Sequence, residues 1–317
     1  MKARPLSSRT LGVLVAVVLL STSSQGLAQE PRVAFLVDDS AGSFSPEGKT
    51  IVFTRHFSTL LYGLDTHPVP SRSVLITMRA DGSRKRVLRQ LGVRFEYDPS
   101  FSPDGLSILS VRDDRIYVMR RDGSGAYQVR RDSLEQACPR FSPDGSKISF
   151  WRGRPGAKPG AYYVMNADGG GLRRIVNARD RFAWGCPSWF PNGQRIAFAK
   201  DYNLYVSSAD GTNVKQITDD KDGTFYSPAV SPDGDWIACH GTDSRYRSGI
   251  IRMRADGTGI TRITVSRKGL EGDGGASWSP DGRRILFTGH HGRFEGAGVY
   301  VVNRDGSGLR RLSNIPG

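Results

Sequence analysis

Phe141-Ser142-Pro143-Asp144-Gly145, then Tyr163-Val164-Met165-Asn166-Ala167-Asp168-Gly169, then Leu172-Arg173-Arg174-Ile175: these three pieces, in this order, decide the fold. In the first, Ser opens a turn, Pro presets φ at the second position and Gly accepts the fourth. In the second, Asp-Gly follows an apolar run, which is a strong short hairpin signal because both residues tolerate positive φ. The third is a short strand that returns from that hairpin.

The same order recurs along the chain. Ser-Pro turns or near relatives fall at 45–48, 102–105, 142–145, 190–193, 231–234 and 279–282. Asp-Gly falls at 81–82, 122–123, 168–169, 210–211, 256–257 and 305–306, and the two motifs alternate strictly. Between the turns lie short runs rich in β-branched and aromatic residues, such as Ile108-Leu109-Ser110-Val111 and Val299-Tyr300-Val301-Val302. One repeat is therefore four antiparallel strands, A to D, with A ending at the Ser-Pro turn. A sheet this small buries both faces only against neighbouring sheets, and a closed ring removes the open ends. The expected fold is all-β: a six-bladed β-propeller of four-stranded antiparallel blades over residues 39–317.

The remaining sequence fits an exported protein. Lys2, Arg4 and Arg9 precede the apolar run 11–20, and Gly26-Leu27-Ala28 offers a cleavage point, so residues 1–28 read as a signal peptide. The apolar run is about half the roughly 20 residues that span a bilayer. Residues 29–38 read as an N-terminal arm, in which Val33-Ala34-Phe35-Leu36-Val37 either pairs with the last blade and helps close the ring or remains a short unpaired arm. The mature chain is expected in the periplasm or the medium, as a monomer without a membrane span. Removing residues 1–28 lowers the formal charge from +14 to +11. That charge favours an acidic protein surface or another anionic ligand. Nucleic acid is not expected, because the basic residues are scattered through the repeats and an exported protein rarely meets it.

The quoted pattern resembles the repeat of TolB-type propellers, and the resemblance covers nearly all of 39–317. It implies the propeller fold and an extracytoplasmic interaction role. The family's separate α/β domain has no counterpart in the roughly ten residues between the signal and the first blade, so membership of the Tol–Pal system does not follow. Similar propellers precede hydrolase domains in prolyl-peptidase-like enzymes. The sequence has no Gly-x-Ser-x-Gly elbow, and no such catalytic domain is expected.

Connectivity sorts the loops onto two faces. The A–B and C–D turns are uniform. The B–C loops and the D–A links vary, and variable loops on a rigid scaffold usually carry binding. Long B–C loops are expected at 54–73, 151–161, 240–249 and 288–298. The candidates on that face are Trp184, Phe225, Tyr226, Arg152, Arg245, Tyr246, Asp98 and Asp273. Two functions follow. The first is a non-enzymatic binding scaffold in the cell envelope, without a cofactor. The alternative is a metal-dependent, lyase-like enzyme acting on acidic oligosaccharides. Some pectin-fragment lyases use similar propellers with a metal held by channel histidines, which makes His290 and His291 weak metal candidates. Adjacent strand residues point to opposite sides, so only one of the two could face a metal. His56, His67 and His240 would join it only if the loops fold inward.

The cysteines are Cys138, Cys186 and Cys239. Cys138-Pro139 and Cys186-Pro187 hold matching places on neighbouring A strands. One blade spacing is expected to exceed the Cα separation of about 4.4–6.8 Å that a bridge needs, so three free thiols are expected.

Overall fold

The computed structural model describes residues 32–62, 69–89, 95–154, 157–177, 185–245, 247–264, 270–291 and 297–313. The proposed signal peptide lies outside them. Blade one contains β1 (Arg32–Phe44), β2 (Thr50–Tyr62), β3 (Val69–Arg79) and β4 (Arg86–Arg89). Blade two contains β5 (Glu96–Phe101), β6 (Ser107–Arg112), β7 (Arg115–Arg120) and β8 (Tyr127–Gln128). Blade three contains β9 (Glu135–Phe141), β10 (Lys147–Arg154), β11 (Ala157–Asn166) and β12 (Arg173–Asn177). Blade four contains β13 (Ser188–Trp189), β14 (Arg195–Lys200), β15 (Asn203–Ser208) and β16 (Lys215–Gln216). Blade five contains β17 (Gly223–Val230), β18 (Trp236–Asp243), β19 (Ser248–Arg254) and β20 (Thr261–Arg262). Blade six contains β21 (Leu270–Trp278), β22 (Arg284–His291), β23 (Gly298–Asn303) and β24 (Arg310–Arg311). Each sheet pairs its strands in chain order, and the six sheets form a β-propeller, as the repeat predicts. Among the described residues no helix is long and apolar enough to cross a membrane.

Period-two alternation builds the core. In β2, Ile51 and Phe53 face blade six, where they meet Leu286, Val299, Val301 and Leu312. Val52 between them faces blade two, packing with Leu75, Phe101, Ile108 and Met119. In β18, Ile237 and Cys239 pack toward blade four, while Ala238 packs toward blade six. Each blade thus fills both neighbouring interfaces from alternate residues of the same strand.

Both turn motifs also hold blade to blade. In five of the six Ser-Pro turns the serine is buried. Ser142 Oγ accepts the Lys147 N–H at 2.9 Å and donates to Asp144 Oδ1 at 2.5 Å. That hydroxyl holds the Asp144 carboxyl down at about 2. Phe190 replaces the serine in blade four, and the Arg195 guanidinium lies 4.0 Å over its ring. On the outer ring, a Cβ placed on Gly257 (φ +92°) would lie 1.7 Å from the Ile217 carbonyl oxygen of the preceding blade. A Cβ on Gly82 (φ +88°) would meet the Leu312 carbonyl oxygen at 2.8 Å, across the junction of blades six and one. Only glycine fits these approaches.

Two expectations are corrected. Val33–Val37 is not a separate ring-closing arm: it is the first half of β1 and pairs with Leu61–Phe57 of β2 in its own blade. Blade one meets blade six instead through the shared core and a bond from the Asp39 N–H to the Ala297 carbonyl (2.9 Å). The expected long B–C loops are largely strand. Thr54–Thr59 pairs with Leu75–Val69, and His240–Thr242 pairs with Ile250–Ser248. Extending the ladder gives these backbone groups partners that a loop would have to find in water or side chains.

Candidate functional site

Every innermost strand with a long ladder is broken midway by a β-bulge. Register shifts occur between Ala41 and Ser43, Tyr97 and Ser100, Tyr226 and Ala229, and Gly274 and Ser277, and opposite Ser149–Trp151 in blade three. In blades two, three and five a proline follows the bulged residue; it cannot donate to a ladder, so a bulge accommodates it. In four of the five bulges the bulged residue takes positive φ: Asp98 +53°, Cys138 +57°, Ser227 +49° and Gly275 +69°. For the three non-glycine residues this conformation costs on the order of 1–3 kcal/mol each. A bulge re-aims its side chain, and here it does so in the channel wall.

The channel holds a cavity of ≈ 430 Å³ to which all six blades contribute, among them Ser43, Ser100, Arg140, Cys186, Ser227 and Ser277. Pro143, Pro191 and Pro232 line it as well, so it extends toward the Ser-Pro turns. Arg140 donates from Nη1 to the Pro139 carbonyl at 2.8 Å and from Nη2 to Cys186 Sγ at 3.2 Å. Burial pulls the Arg140 pKa down, and the Asp98 charge opposes that. Asp98 accepts the Cys138 N–H at 3.1 Å. Burial pushes its carboxyl up, against the pull of Arg140.

Cys138 and Cys186 form a disulfide with Cα atoms 4.7 Å apart, which corrects the expectation of three free thiols. Blades are wedges. Their innermost strands converge on the axis, so one blade spacing there is far shorter than at the rim, and the bulge at Cys138 turns the side chain along the wall. Cys239 remains a buried free thiol. Thiol counting on denatured, unreduced protein should therefore give one. Cys186→Ser should lower stability by about 2–4 kcal/mol, because the bridge closes a long loop; a thermal midpoint equal to wild type would contradict this.

The predicted binding residues do not converge. Phe225 is fully buried with Leu204, Ile237 and Cys239, so it packs between blades and presents no binding surface. Arg152 is held by both Asp132 oxygens, Nε–Oδ2 2.7 Å and Nη2–Oδ1 2.9 Å, and is occupied internally. Tyr226 sits between Tyr202 and His240, with ring centroids 5.6 and 6.0 Å away. Arg245 is exposed at a hairpin turn. Asp98 lies in the channel wall. Trp184 and Tyr246 lie outside the described residues, as do the side chains of Asp273, His290 and His291. Sequence reasoning missed Arg140, the arginine at a position where β5 has Ser100 and β17 has Ala229.

His56 and His240 stay within their own blades, bonded to Ser40 (3.1 Å) and Ser248 (3.2 Å). Burial lowers His240 from 6.5 to about 4. A histidine depressed in the fold stabilises fully above its ordinary pKa and loses that contribution as the pH falls toward the folded value. Unfolding free energy should drop by up to about 3 kcal/mol between pH 6.5 and 4. Denaturant titrations of His240→Gln should show a flatter profile; an unchanged acid slope would contradict it.

A family model described as the dipeptidyl peptidase IV N-terminal region matches residues 157–238. A protein TolB homolog of Chlorobium luteolum is 32% identical over 154 residues, covering 46% of this chain and 33% of the relative. The crystal structure of TolB from Acinetobacter baumannii superposes with a TM-score of 0.63 at 16% identity, covering 86% of this chain and 78% of that one. The chain is a TolB-like β-propeller. The match spans about a third of the curated TolB homolog's length. An oligogalacturonate lyase in complex with manganese also shares the architecture, with a TM-score of 0.57 at 13% identity over 87% of this chain and 78% of that one. At that identity the likeness extends to the fold alone. Among the described residues, the one cluster with metal-ligand spacing, Asp98 with Cys138 and Cys186, contains no histidine, so this TolB-like propeller does not gather its described histidines into a site.

Proposed function

We propose that the chain is an exported, non-enzymatic scaffold that binds an acidic segment of an envelope protein across its turn face. The observation that carries this reading is a groove of ≈ 480 Å³ between blades six and one, lined by Lys49, Arg79, Arg284 and Arg310 with Asp81. Asp81 Oδ1 already accepts the Ser83 N–H at 2.8 Å, so it is engaged within its own turn. The repeat supplies an internal comparison. The matching groove between blades four and five has Arg195, Lys215 and Arg254, but Asp235 stands where Lys49 stands, beside Asp256. The six–one groove is therefore the more positive of the two. The opposite face supports the reading by contrast, since Arg55, Arg152 and Arg247 there pair with Asp39, Asp132 and Asp243.

The test is capture from envelope extract. Wild-type protein should retain a defined partner at low salt and release it as ionic strength rises. Lys49→Glu with Arg310→Glu should weaken capture at least about tenfold, roughly 1.4 kcal/mol. Salt-independent capture would sink the proposal. So would turnover of polygalacturonate with stoichiometric bound metal, which would favour the lyase-like alternative.

A further inference from the structure

The disulfide does not lie in the packed core. Cys138 and Cys186 are both part-exposed, and Cys186 lines the channel cavity. The third cysteine shows the contrast: Cys239 is fully buried among Leu204, Ile237 and Ile251, and burial pushes its thiol up. The two bridged sulfurs also differ in charge environment. Cys186 Sγ lies 3.2 Å from the Arg140 guanidinium. Cys138 holds Asp98 through its own N–H, and an Asp98 carboxylate oxygen lies within 4.8 Å of both sulfurs. A nearby cation stabilises a thiolate and a carboxylate disfavours one.

We propose that the Cys138–Cys186 bridge is a thiol-exchange site for small thiols that enter the channel. The incoming thiolate attacks Cys138 Sγ and forms a new S–S bond there. The protein S–S bond breaks, and its electron pair leaves on Cys186 Sγ as a thiolate held by Arg140. A better-stabilised thiolate leaves faster, so Arg140 decides which sulfur departs. A second thiol then attacks the mixed disulfide and releases the small-molecule disulfide, and both cysteines take up protons. Two thiols are oxidised and one protein disulfide is reduced to a dithiol. A cavity of ≈ 430 Å³ falls within the range of about 300–1,000 Å³ typical of small-molecule sites.

The test uses the folded full chain with reduced glutathione, an acid quench and peptide mapping by mass spectrometry. The adduct should appear on Cys138, with Cys239 unmodified. Arg140→Gln should slow its formation at least tenfold, Arg140→Lys should restore most of the rate, and Arg252→Gln, in β19 against Trp236, should leave it unchanged. Circular dichroism of each variant separates a slowed exchange from a lost fold. Three results overturn the proposal: no adduct without denaturant, an adduct chiefly on Cys186, or equal rates in wild type and folded Arg140→Gln.

Discussion

Arg55→Ala should cost about 3–5 kcal/mol of folding stability. Asp39 is fully buried in β1, and Arg55 of β2 holds both its oxygens, Nε–Oδ1 at 2.6 Å and Nη2–Oδ2 at 2.8 Å. The pair itself need not be strongly stabilising, because both charges have been taken from water. Removing one partner is different. It leaves the carboxylate of Asp39 buried without its counter-charge. The double variant Asp39→Asn with Arg55→Met should recover much of the loss, since it leaves no buried charge. Urea unfolding of the three proteins checks this. If Arg55→Ala and the double variant lose the same amount, the loss reflects packing rather than an orphaned charge.

Phe53→Ala should cost a similar amount, about 3–5 kcal/mol. Phe53 has no exposed surface and lies in the cluster that joins blade one to blade six. Truncation removes its transfer free energy and opens a cavity that two packed sheets cannot close. It also acts where the ring closes, so hydrogen exchange should rise in β23 of blade six as well as in β2. Faster exchange confined to blade one would mean that the two terminal blades are not one cooperative unit.

These two residues also mark what was legible in the sequence. Phe53 was readable as core, because the preceding turn at 45–48 and the alternation in 51–53 fix its face. The pairing of Asp39 with Arg55 was not. Their register depends on a bulge between Ala41 and Ser43 that leaves no sequence signature stronger than a glycine. The turn motifs carried the blade count because each turn needs particular residues. The candidate site was read less well. Phe225 looked like an anchor because an aromatic next to a variable link resembles one, and only its place in β17 shows that it packs inward. Arg152 looked available because its partner, Asp132, lies 20 residues away in the sequence. The disulfide was misjudged because the distance between neighbouring A strands depends on how closely the blades converge on the axis. Residue spacing does not contain that length.

We propose above that the scaffold engages an acidic partner through its turn face. Hydrogen–deuterium exchange of the captured complex against the free protein tests it most directly. Added protection is expected at 48–50, 79–81, 283–285 and 309–311, the segments around Lys49, Arg79, Arg284 and Arg310. Protection at the hairpin ends near 55–62 and 240–250, with the turn face unchanged, would contradict it.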